Sequence, residues 1–96
     1  MRLSTLSKEY VRVSVARDDA SSPTADAVYF AFVLGTANPS EWNAGSWETV
    51  GSTYYARCLV GPSTSINLTV GDWTVWLKVT DNPEIPVRPG GTLRMY

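Results

Sequence analysis

The sequence predicts an all-β sandwich, and three observations carry that expectation. Apolar and polar residues alternate with period two, as in Tyr10-Val-Arg-Val-Ser-Val-Ala16 and Trp73-Thr-Val-Trp-Leu-Lys-Val79, the pattern of strands with one buried face. Clusters of Gly, Pro, Asn, Asp and Ser interrupt the alternation about every 8 to 12 residues, as between short strands of a sandwich. No heptad, internal repeat or low-complexity tract competes with this reading.

A chain of 96 residues has room for one core, because a domain of this size buries about two-thirds of its unfolded surface. With 44% hydrophobic and 18% charged residues, four Trp, five Tyr and two Phe, the composition suits a globular domain and not a disordered one. Eight basic and nine acidic residues are scattered along the chain, so nothing points to nucleic acid or to an anionic membrane surface. The segment Met1 to Tyr10 lacks the apolar run of a secretion signal, and no later run suits a membrane span. Retention in a cytosol is expected. Cys58 is alone, which excludes an internal disulfide or a Cys-based zinc site within one chain.

Residues 1–9 are polar and mixed and form the expected N-terminal arm, with residues 10–96 as the domain. Leu3 and Leu6 are the only large aliphatics of the arm and are separated by Ser4 and Thr5. The arm cannot bury a stripe of its own and is expected to become ordered only against a neighbour. From Tyr10, Val11, Val13 and Val15 share one strand face, with Arg12 and Ser14 on the other. A turn cluster from Arg17 to Ala25 precedes a second strand, Ala27 to Val33, with Val28, Phe30 and Phe32 on one side and Tyr29 and Ala31 on the other.

Gly35 to Gly45 reads as a long loop around Trp42, followed by a short strand at Trp47 to Val50. Tyr54 to Val60 is again a strand, with Ala56, Cys58 and Val60 facing the core and Tyr55 and Arg57 outward. Ile66, Leu68 and Val70 alternate up to Gly71, and Trp73, Val75, Leu77 and Val79 beyond it. The spacing Leu68-x-x-Gly71-x-Trp73 matches a corner of immunoglobulin-like sandwiches, where an aromatic after the corner bonds back to its backbone. Trp73 stands where Tyr is usual, and its indole N–H can donate such a bond. Ile85 to Arg88 and Thr92 to Tyr96 close the chain, and Pro83, Pro86 and Pro89 assign that stretch to an edge. The expected fold is therefore an immunoglobulin-like β-sandwich of about seven short antiparallel strands.

The chain has no histidine, which removes the usual general base, the commonest metal ligand and any imidazole triad. Cys58, on the face shared with Ala56 and Val60, reads as a buried structural thiol. Glu41 and Glu48 flank an aromatic loop in the manner of a glycosidase pair, but a sandwich this small has little depth for a cleft. Asp18, Asp19 and Asp26 offer oxygen ligands without the spacing of a dedicated calcium loop and read as solvated turn residues. No catalytic, cofactor-binding or metal-binding residue is assigned. The candidate binding residues are the surface aromatics Trp42, Trp47, Tyr29, Tyr55 and Trp76, since Trp and Tyr are enriched at protein contacts. For Trp42 and Trp47 two readings stand, a contact residue or a plug over an open end of the sandwich; for Trp76, contact is favoured.

Three segments carry a resemblance: Ser46-Trp-Glu-Thr, Tyr55-Ala-Arg-Cys-Leu-Val-Gly-Pro, and Gly71-Asp-Trp-Thr-Val-Trp-Leu-Lys-Val-Thr-Asp-Asn-Pro-Glu-Ile-Pro-Val-Arg. Together, over roughly Tyr10 to Tyr96, they resemble small immunoglobulin-like virion proteins of tailed phages infecting actinobacteria, and more distantly the N-terminal domain of phage baseplate upper proteins. The resemblance implies a non-enzymatic structural component of a bacteriophage virion, a minor head or head-tail neck protein assembled in the host cytoplasm. Its implied partners are capsid, portal or neck subunits, contacted by multiple symmetric copies, with a host glycan as a further possible contact. The alternative is a carbohydrate-binding module in which Trp42, Trp47 and Trp76 form a stacking platform.

Overall fold

The computed structural model describes residues 1–16, 23–35, 37–80 and 85–96. Over these residues the chain is all-β and forms eight strands: β1 Arg2–Leu3, β2 Glu9–Val15, β3 Ala27–Leu34, β4 Asn43–Ala44, β5 Ser46–Val50, β6 Thr53–Val60, β7 Gly71–Thr80 and β8 Val87–Met95. They make a sheet of order β1-β8-β7-β3-β4 and a second of order β2-β6-β5. All pairings are antiparallel except β1 with β8.

The two sheets close on one core, because the expected alternation puts their apolar residues face to face. Val28, Phe30, Val75, Leu93 and Met95 come from the five-stranded sheet, and Val11, Ala56, Cys58 and Val60 from the three-stranded one. Phe30 and Phe32 stack with ring centroids 6.1 Å apart, while Trp73, Leu77 and Val79 flank the buried Val75 on the inner face of β7. The corner forms as expected: Trp73 Nε1 donates to the carbonyl of Thr69 at 3.0 Å.

Two segments depart from the sequence reading. Residues 66–70 alternate but form no ladder. The hydroxyl of Thr64 sits between the carbonyls of Gly61 and Ile66, at 2.7 and 2.9 Å, and accepts the Ile66 N–H at 3.2 Å. Such local bonds occupy backbone groups that a strand would need. Ile66 and Leu68 still turn inward and are buried, leaving Val70 exposed.

The second departure is a correction. The arm, residues 1–9, is not left waiting for a neighbour but docks on its own domain. β1 pairs with Arg94 and Met95 of β8, and Arg94 N donates to Met1 O at 2.9 Å, Tyr96 N to Leu3 O at 3.0 Å and Thr5 N to Tyr96 O at 2.8 Å. Leu3 packs against the core. The following turn crosses Gly61, whose φ of 122° and missing side chain admit it: a Cβ there would run into the Ser7 carbonyl and lie 2.8 Å from Lys8 Cα. Main-chain pairing to the last strand supplies the order that the side chains of the arm alone cannot.

Candidate functional site

The strand registers set which outward aromatics meet. Across the outer face of the five-stranded sheet, Tyr29 is opposite Lys78 and Ala31 opposite Trp76, while Trp76 is opposite Pro89 and Lys78 opposite Val87. Phe30 pairs with Asn43, so Trp42, one residue earlier, comes beside Ala31 on its other flank. Ala31 is only 1% exposed although it lies outside the core cluster. The result is one patch of Tyr29, Trp42, Trp76 and Lys78, in which all four residues are half-buried.

Lys78 is the residue that sequence reasoning missed. Its Nζ lies 4.9 Å from the centroid of the Tyr29 ring and 4.6 Å from that of Trp42, close enough for the ring quadrupoles to hold the ammonium. Among the described residues it makes no ion pair, whereas Arg12, Arg57 and Arg94 all meet carboxylates. The signal was present in the alternation: Lys78 follows Trp76 by two residues and shares its outward parity. Trp76 adds an unusual feature, an indole N–H that is buried without a hydrogen-bond partner among the described residues. A donor left in that state costs about 1 to 3 kcal/mol.

Trp47 and Tyr55 do not join this patch. Trp47 lies on the inner side of β5, packs against the core and donates its indole N–H to Asp26 O at 2.8 Å. It therefore takes the plug alternative and leaves the set of contact candidates, because both its apolar body and its polar tip are used inside the domain. Tyr55 is on the outer face of the other sheet, opposite Ser14 and Glu48. There Glu48 is clamped by Arg12 at 2.8 Å and Arg57 at 3.1 Å, and both guanidinium groups lie over the Tyr10 ring, at 5.6 and 4.4 Å. The hydrogen bond from Arg12 leads in holding the Glu48 carboxyl below its ordinary range, assisted by the two arginine charges and opposed by burial.

That direction bears on chemistry, since a glycosidase general acid needs its pKa raised. Glu48 is a tie across three strands, and Glu41 stands exposed on the run before β4. Burial pushes the Cys58 thiol up from 9.0 to about 11, so at neutral pH it is not a thiolate nucleophile. Among the described residues no three of His, Cys, Asp and Glu gather as a metal ion requires, and no helix is long and apolar enough to cross a membrane. Asp18, Asp19 and residues 81–84 of the Asp81 to Arg88 turn lie outside the described residues.

A separate groove of about 300 Å³ opens along β2, between the two sheets, with Val13, Val15, Leu77, Val79 and Pro86 in its lining. No protein-family model matches the chain, and neither a curated protein nor a solved structure is significantly similar to it.

Proposed function

We propose that this chain is a non-enzymatic structural domain of a tailed bacteriophage virion, a minor head or head-tail neck protein that docks on capsid, portal or neck subunits. The observation that carries the binding part of the reading is the patch on the outer face of the five-stranded sheet, where Lys78 lies over the rings of Tyr29 and Trp42 and Trp76 shares the face. Rigid aromatic anchors beside one cation suit a protein neighbour that offers apolar surface and a carboxylate. The virion part rests on the resemblance in the three sequence segments. The strand order supports the immunoglobulin-like part, since β8, β7, β3 and β4 take the places of strands G, F, C and C′, and β2, β6 and β5 those of B, E and D.

A carbohydrate-binding module is the second reading, favoured by three aromatic rings on one sheet face. Weighing against it, the ammonium of Lys78 already lies over two of the rings, and a sugar-stacking platform needs those faces open.

Mass spectrometry of purified particles tests the assignment directly, with the chain expected at a fixed stoichiometry. Lys78→Glu, on a half-exposed position, is expected to keep the fold and to lower incorporation at least tenfold. Its incorporation at the normal level, or a chain found only outside particles, overturns the reading. Binding to oligosaccharides that survives Lys78→Glu supports the carbohydrate alternative instead.

A further inference from the structure

In the three-stranded sheet β2 pairs with β6 on one side and, among the described residues, with no strand on the other. Free strand edges invite pairing, and proteins blunt them by shortness, proline, bulges, inward charges or covering segments. The other edges of this domain carry such devices. β1 and β4 are two residues each. β8 has Pro89, an extra residue at Gly90 that shifts its register, and β1 laid over its end. β5 is five residues long, and Trp47 bridges from it to the other sheet. By contrast, β2 runs for seven residues without proline, glycine or bulge, and Val11, Val13 and Val15 are its inward residues over most of that length. The apolar groove lies directly alongside.

We propose that β2 is a strand-acceptor edge at which a second copy of this chain adds its own β2, antiparallel, about a two-fold axis through Val13. The occupant is a second copy because β2 is self-complementary in that register. Val13 faces Val13, Val11 faces Val15, and on the outer face Arg12 faces Ser14. Slipping by one residue turns the valines outward. Centring on Arg12 sets two guanidinium groups directly opposite, which is unfavourable in a sheet, and centring on Val11 brings Glu9 against Val13. An isologous pair of this kind leaves the inner faces of both sheets on one side, so the valines of both copies line the two adjoining grooves. This edge belongs to the three-stranded sheet and the aromatic patch to the outer face of the five-stranded one, so the inference goes beyond the reading above and stands or falls separately.

The test is a charge exchange at Ser14, which is exposed. Sedimentation equilibrium of the parent chain is expected to show a mass rising with concentration from 10.5 kDa to twice that value. Ser14→Arg places like charges opposite Arg12 in both halves of the join and is expected to weaken dimerisation at least fivefold. Ser14→Glu places a carboxylate there and is expected to tighten it. Hydrogen exchange supplies the second measurement: alternate β2 amides, those directed away from β6, become protected only at concentrations where the dimer forms. Lys78→Glu should leave the dimer unchanged, which separates this result from failure of the virion reading. A chain that stays monomeric at millimolar concentration, a dimer indifferent to both Ser14 variants, or β2 amides protected only when a different protein is added would each overturn the proposal.

Discussion

Trp47 donates its indole N–H to the carbonyl of Asp26 at 2.8 Å, and this bond ties β5 of one sheet to the residue preceding β3 of the other. The sandwich is thus held on that side by a polar link between its layers as well as by apolar packing. Trp47→Phe keeps most of the ring and removes the donor. The expected loss is about 1 kcal/mol, read as a melting temperature lower by about 4 to 8 °C for a domain this small. Trp73→Ala removes more, an aromatic body together with the Thr69 bond. A loss of about 3 kcal/mol or more is expected in a denaturant titration, and an unchanged midpoint would show that Trp73 is not part of the core.

The docked arm makes a prediction opposite to that for a loose tail. Removing residues 1–5 takes away the β1 ladder and the packing of Leu3, and should destabilise the isolated domain by about 2 to 3 kcal/mol. Gly61→Ala attacks the same contact from the other side. It places a side chain at φ 122° and against Ser7, with an expected cost of about 1 to 3 kcal/mol. If the two changes are combined, the second should cost less than it does alone, because the colliding turn has lost its anchor. Full additivity of the two losses would argue that they act on separate features.

Cys58 gives the domain an alkaline signature. Its folded pKa of about 11 lies above its ordinary 9.0, so the folded state holds the proton more tightly than the unfolded chain. The stabilising difference is therefore complete below pH 9 and is lost as pH rises toward 11, with a slope of up to about 1.4 kcal/mol per pH unit. Cys58→Ala should cost about 1 kcal/mol at neutral pH through lost packing and should flatten that part of the alkaline decline. Alkylation of the thiol at pH 8 should follow global unfolding, and fast labelling of the native protein would contradict its burial.

At the acid end the corresponding group is Glu48. Its folded pKa is depressed below 4.5, led by the Arg12 hydrogen bond, so the stability it contributes is present above 4.5 and is lost as pH falls through the lowered value. Carboxyl carbon NMR should show Glu48 titrating below 4.5, and Arg12→Met should move the midpoint upward. A midpoint that ignores Arg12 would mean that the clamp does not persist in solution.

Side-chain periodicity announced Val11, Val13 and Val15, Phe30 and Phe32, and Ala56, Cys58 and Val60, because a strand with one buried face must alternate. The Gly71-x-Trp73 corner was legible for a different reason, a polar tip on an aromatic that needs a nearby acceptor. The arm was not legible, since β1 is held chiefly by main-chain bonds, which leave little trace in residue type. Trp47 left two readings open because a Trp beside a loop fits an inner or an outer position equally, and only the carbonyl of Asp26, just before β3, decided between them. The patch was half legible: parity placed Tyr29 and Trp76 outward, but bringing Trp42 and Lys78 to them required the registers of β3 with β4 and β7.

The parallel pairing of β1 with β8 joins Arg2 to Arg94 and Leu3 to Met95, nearly the full span of the chain. On a ribosome β1 therefore emerges long before β8, its strand partner among the described residues. Its docking must wait until β8 is free, and it closes the longest loop among the described ladders, a step whose entropic cost is met only after the other ladders are in place. The edge that β1 caps is thus expected to be the last part of the sheet to zip during folding and the first to open under strain.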